Sequence, residues 1–169
     1  MTRKTYRQLA AEAAAAIREI MPWDAADLLK ANPPPLLLDI RERSEFDAAR
    51  IAGSLNVPRG ILESAAEWDY AETEPQLVAA RDRAVIVVCR SGNRSALAAL
   101  VLAEIGFGDV CSMKLGIKGW NDADLPLVDA HGRPLDGDAA MALLEPPLRP
   151  DQVDPARASA GKRPTARPA

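Results

Sequence analysis

A single histidine, two cysteines and no long apolar run exclude several protein classes before any motif is read. The histidine, His131, falls late in the chain, beyond the expected core, so a Cys-His protease arrangement is not expected. Cys89 and Cys111 are too few for a disulfide framework and do not form a CxxC pair, which favours a thiol protein in a reducing compartment. Nothing approaches the roughly 20 apolar residues of a membrane span. The opening MTRKTYRQLAAEAAAAIREIM lacks the uninterrupted apolar core of a secretion signal. The cytoplasm is therefore the expected compartment, with no membrane partner. Surplus positive charge is also missing: the formal net charge is −3, which speaks against a nucleic-acid partner. The local exception is the tail, where Arg149, Arg157, Lys162, Arg163 and Arg167 outweigh Asp151 and Asp154. Such a short basic stretch reads as solvated. Asp122 with Asp124, and Asp136 with Asp138, lack the ligand count of a calcium loop and read as turns, so neither metal nor cofactor is expected.

What is present suits one domain with extensions: 169 residues, 48% hydrophobic and 27% charged. Of fourteen prolines, several cluster at Pro33 to Pro35 and from Pro146 onward, punctuating the chain. Residues 3–20 carry Tyr6, Leu9, Ala13, Ile17 and Ile20 at helical spacing, which predicts an amphipathic helix ending before Pro22. A second short helix is expected from Asp24 to Lys30. Leu36 to Asp39 and AVIVV from Ala84 to Val88 read as buried parallel strands. The second strand runs into CRSGNRS and then into SALAALVLAEIG, an Ala- and Leu-rich helix stopped by Gly106. Val110 to Met113 supplies another strand, followed by a Gly- and Trp-containing loop from Leu115 to Trp120, with Trp120 as a core anchor. Ala139 to Leu144 reads as a turn or two of helix, and the chain beyond Pro146 as linker or disordered tail. The organisation is α/β, a central parallel sheet flanked by helices, with chemistry expected where strands end.

Cys89 stands at such an end. The amides that follow can converge on its sulfur, a helix N-terminus lies behind the loop, and Arg90 and Arg94 add fixed charge. These surroundings favour a thiolate, the form that attacks sulfur or carbonyl electrophiles. A cysteine that merely packs has no use for a glycine three places on and two arginines around it. Cys111, between a strand and Ser112, reads as packing.

CRSGNRS resembles the active-site loop of the rhodanese family, in which a cysteine opens a six-residue loop, here Cys89, Arg90, Ser91, Gly92, Asn93 and Arg94, with Ser95 next. DIRERSEF from Asp39, IAGSLNVP from Ile51 and GFGDVCSMKLGIKGWNDADLP from Gly106 resemble the family's other landmarks, in the same order. Ala49 and Arg50 stand where a Gly-His pair is common, and Ile117 replaces the second glycine of a Gly-Gly pair. The resemblance implies a rhodanese-like fold with an extra N-terminal helix: residues 1–21 the helix, 22–129 the domain, 130–169 a Pro/Ala/Arg-rich extension. It implies sulfur transfer through a persulfide on Cys89, from a small anionic sulfur donor such as thiosulfate to cyanide or a thiol, with a protein thiol as a further candidate acceptor. The loop from Arg90 to Ser95 would bind the anion, and Asp39 and Arg41 would brace the fold beside it. The stretch from Arg59 to Arg83 is long enough for a lid.

Two other functions remain open at this point. A phosphatase or arsenate reductase also uses a cysteine in a loop of amides, but with C-x5-R spacing, and here Ser95 occupies that position. A non-enzymatic sulfur-carrier or interaction module would use the same domain as a dock.

Overall fold

The computed structural model describes residues 3–155, so the basic residues from Arg157 onward lie outside the described residues. Helix α1 (Tyr6–Ala16) opens the chain, followed by β1 (Arg18–Ile20), α2 (Pro22–Leu28), β2 (Leu36–Asp39), α3 (Arg43–Ala48) and β3 (Leu55–Asn56). After a 3-10 turn (Arg59–Ile61) come α4 (Leu62–Ala65), α5 (Pro75–Val78), β4 (Ala84–Val88), α6 (Asn93–Glu104), β5 (Asp109–Met113), α7 (Gly116–Asp122), α8 (Gly137–Leu144) and a 3-10 turn (Pro150–Gln152). The strands form one parallel sheet in the order β1-β5-β4-β2-β3. This is the α/β arrangement that the resemblance implies, with helices covering both faces.

Strand alternation sorts the core into two layers. Leu38, Val85 and Val87 face α4, α5 and α6, burying Leu62, Leu77 and Leu102 with Phe107. Leu37, Ile86, Val88, Cys111 and Met113 face the other way, onto Ala25, Ile117, Trp120, Ala140 and Leu144. Each fully buried Leu, Ile or Val is worth about 1.5–3 kcal/mol, so the central strands are held from both sides. Because β4 lies between β2 and β5, the residue after its last position emerges near the middle of the sheet's C-terminal edge.

Five expectations are corrected. The helix read through residue 20 ends at Ala16, and Arg18–Ile20 pair in parallel with Cys111–Met113 instead. Ladder bonds and an Arg18–Asp109 ion pair at 2.7 Å outweigh helical spacing there. The buried stripe of α1 is Ala10 and Ala13, whereas Tyr6 and Leu9 are about half exposed; small side chains let α1 lie close along α6. The stretch Leu115 to Trp120 is largely helix: two glycines argue against one, but burial of Ile117 and Trp120, one turn apart, outweighs propensity. The stretch Arg59 to Arg83 is a packed crossover and not a lid, since Leu62, Ala65, Ala66, Leu77 and Ala80 are all buried in the core. The second helix also sits earlier than expected, because Pro22 occupies its first turn, where a missing N–H costs nothing.

Candidate active site

Cys89 follows the last residue of β4 and is almost fully buried. Its Sγ accepts the backbone N–H of Gly92 at 3.2 Å and of Ser95 at 3.3 Å, and lies 3.5 Å from Ser95 Oγ. The loop can curl this tightly because Gly92 adopts φ +93, a conformation costly for a side chain with a Cβ. Asn93 then starts α6, so the amides on the sulfur belong to the first turn of a twelve-residue helix and its N-cap.

Other elements fix the outside of the loop. Ile117 N–H donates to Cys89 O at 2.8 Å and Lys118 N–H to Arg90 O at 3.1 Å, so the start of α7 grips the loop carbonyls. Gly116 makes that grip possible: a Cβ there would sit 2.4 Å from Cys89 O. Ile117, which departs from the usual Gly-Gly, is buried and still supplies its amide. Behind the sulfur, Ser112 on β5 donates to Ser95 Oγ at 2.8 Å, and Ser95 Oγ donates to Gly92 O at 2.9 Å. All three residues are buried.

Arg94 does not point free into a pocket. Its guanidinium makes two 2.8 Å bonds to the Glu45 carboxylate on α3. Donating to the Glu45 carboxylate raises the Arg94 pKa further. Burial alone would raise Glu45, but the Arg94 bond and charge overcome it and hold the carboxyl below its ordinary value. Arg90 and Ser91 are exposed at the mouth, and Asn93 is half-buried.

Asp39 and Arg41 form a buried pair, with Arg41 Nη2 at 2.6 Å from Asp39 Oδ2 and Nε at 3.0 Å from Oδ1. The same guanidinium donates to Glu45 O at 3.2 Å and Ala49 O at 2.7 Å, capping the end of α3. The pair thus sets the backbone from which Glu45 reaches Arg94. Arg50, in place of the common histidine, lies over the Phe46 ring at 4.9 Å. Cys111 belongs to the opposite core layer, and burial pushes its thiol pKa up. His131 sits in an exposed turn, and Asp136 caps α8 through the amides of Asp138 and Ala139.

Sequence reasoning missed Glu45 and Ser112. Glu45 is one of several acidic residues in its helix, and Ser112 carries no local signal; only tertiary folding brings them to the loop.

The order of elements, the single cysteine loop and the α7 grip together coincide with a known domain: residues 22–123, more than half of the chain, match the model of the rhodanese-like domain. The chain belongs to the rhodanese-like family. It is 32% identical over 117 residues to the thiosulfate sulfurtransferase GlpE of Actinobacillus succinogenes, covering 69% of this chain and 96% of that one. It is 34% identical over 108 residues to the adenylyltransferase and sulfurtransferase uba4 of Pyricularia oryzae, covering 56% of this chain but spanning only 22% of that relative. Among solved structures, a Rhodopseudomonas palustris protein of unknown function, described as a possible tyrosine phosphatase, superposes with a TM-score of 0.67 at 27% identity. That match covers 76% of this chain and 97% of the other. Helix α1, strand β1 and the C-terminal α8 lie wholly outside the residues that match the domain model. Among the described residues, no helix is long and apolar enough to cross a membrane.

Proposed function

We propose that this rhodanese-like protein is a sulfurtransferase that moves sulfane sulfur from thiosulfate, or another sulfane donor, to a thiophilic acceptor through a persulfide on Cys89. The observation that carries the reading is the pair of amides, Gly92 and Ser95, directed at Cys89 Sγ. Backbone donors fixed in a buried loop stabilise an anionic sulfur without having to reorganise. The 32% identity with a thiosulfate sulfurtransferase matched over 96% of its own length supports it.

In the first half-reaction the Cys89 thiolate attacks the outer sulfur of thiosulfate. A Cys89–S bond forms, the S–S bond of thiosulfate breaks, and sulfite leaves with the electron pair. In the second, cyanide or a thiolate attacks the outer sulfur of the persulfide, and Cys89 departs as thiolate. Charge balances in both steps without an external oxidant or a general base. Arg90, the exposed cation of the loop, attracts the donor dianion. Arg94 serves mainly to hold the loop against α3, because Glu45 already neutralises it.

The phosphatase reading has one neighbour's description in its favour, but the loop opposes it. Phosphate binding in such loops needs an arginine free to chelate oxyanions, and the residue at that spacing is Ser95, which is buried. The direct experiment treats the protein with thiosulfate under non-reducing conditions and follows thiocyanate on adding cyanide. Turnover that is lost in Cys89→Ser supports the reading, and aryl phosphate hydrolysis without thiocyanate overturns it. A reducing compartment such as the cytoplasm belongs to the same proposal, since it supplies thiol acceptors.

A further inference from the structure

Lys118 is held from two sides. Its backbone N–H donates to Arg90 O at 3.1 Å, next to the reacting cysteine, and its ammonium pairs with the carboxylate of Glu145. Arg90, Ser91, Lys118 and Glu145 line one surface groove of about 280 Å³, closed by Leu144 and Pro146. The two charged partners differ in origin. Lys118 lies within the residues that match the domain model, whereas Glu145 stands at the C-terminal end of α8, beyond them. The appended helix thus brings a carboxylate to a cation that the domain already holds beside its loop.

The other charges around the loop follow the same pattern. Arg94 is met by Glu45 at 2.8 Å and Lys114 by Glu19 at 3.5 Å, so Lys118 with Glu145 is a third neutralised cation. Asp122 shares a second depression with Ser91 and Lys118 and adds a further carboxylate. Arg90, and Arg7 in a cleft that also reaches Ser91, make no ion pair among the described residues. The positive potential that meets an incoming anion is therefore much weaker than the cations alone would give.

We propose that Glu145 is a specificity residue: its carboxylate lowers the positive potential beside the loop and so favours a singly charged sulfur donor, such as a thiosulfonate, over doubly charged thiosulfate. The inference rests on the persulfide reading above. The groove stops short of the buried sulfur, so Glu145 acts on the approaching donor by charge and touches no reacting atom. Coulomb repulsion grows with the charge of the donor, so one carboxylate opposes a dianion about twice as strongly as a monoanion at the same distance. With a thiosulfonate the Cys89 thiolate attacks the outer sulfur, the S–S bond breaks, and the sulfinate leaves with the electron pair, so charge balances as it does for thiosulfate.

The test uses the full chain with cyanide as acceptor and compares thiosulfate with the methanethiosulfonate anion as donors. Their leaving groups differ in reactivity, so the readout is how the ratio of kcat/KM for thiosulfate to that for methanethiosulfonate changes between proteins. Glu145 is half exposed, and its substitution leaves the core untouched. The ratio should rise roughly two- to fivefold in Glu145→Gln and further in Glu145→Lys, and added salt should shrink both gains. Asp109→Asn, which breaks the exposed ion pair with Arg18 at the opposite edge of the sheet, should leave the ratio as it is. An unchanged or lower ratio in both Glu145 variants, or an equal rise in Asp109→Asn, overturns the proposed selectivity while thiocyanate formation keeps the persulfide reading standing. No thiocyanate from either donor with the native protein would show that the persulfide reading itself had failed, and the selectivity with it.

Discussion

Around Cys89 Sγ the contacts come from groups of different origin, and this decides which substitutions should matter. Two are backbone amides and no side-chain change removes them directly. The third is Ser95 Oγ, which donates to Gly92 O while Ser112 holds the oxygen in place. When the sulfur carries charge, the Ser95 hydroxyl can rotate toward it with the Ser112 bond intact. Ser112→Ala should leave the fold intact and slow persulfide formation in single-turnover measurements about fivefold, the factor for a neutral hydrogen bond worth roughly 1 kcal/mol. An unchanged rate would mean that Ser112 only fills space. Cys111→Ser, in the opposite core layer, should keep most turnover; if it proved as damaging as Cys89→Ser in a folded protein, a two-thiol relay would replace the scheme. The nucleophile, its glycine and both arginines were legible because they are consecutive in sequence. Ser112 and Glu45 were not, since they reach the loop from residues 17 and 49 positions away from their partners.

Helix α7 shows how one element can depend on a single position. Gly116 has φ +60 and no room for a Cβ, so Gly116→Ala should force the α7 grip away from the Cys89 loop. Overpacking and backbone strain together should cost about 2–4 kcal/mol, visible as a lower Tm, with sulfur transfer falling at temperatures where the protein is still folded. An unperturbed Tm would show that the loop and α7 are not tightly coupled. The Arg94–Glu45 clasp ties α6 to α3 in a different way. Glu45 has a depressed pKa, so its stabilising contribution is fully present above its unfolded pKa and is lost as pH falls through its folded pKa. Stability measured down an acid titration should therefore fall less steeply in Glu45→Gln than in the native protein; parallel curves would contradict the clasp. At this scale, β2, β4, β5 and α6 were readable from apolar runs and helix stops. β1 and α7 were not: three residues of β1 gain their identity from β5, and the glycines of α7 belie a helix that packing imposes.

The whole molecule sets a buried sulfur at the C-terminal edge of a sheet covered on both faces, with appended helices on either side of the loop. α8 closes the core layer of Ile117 and Trp120 through Ala140 and Leu144, while Glu145 meets Lys118 beside the loop. Residues 146–155 are almost entirely exposed. A chain ending at Glu145 should keep its Tm and its turnover with thiosulfate, whereas one ending before Gly137 should lose several kcal/mol with the burial of Leu144 and Ala140. These contributions are long-range, so α8 was legible as a helix but its place against α7 was not. The central claim, that Cys89 carries sulfur, is tested most directly by intact mass after thiosulfate treatment under non-reducing conditions. One added sulfur atom on the native protein, located at Cys89 by peptide mapping, removed by cyanide and absent from Cys89→Ser, is the expected result; an unmodified Cys89, or sulfur found on Cys111 instead, would contradict it.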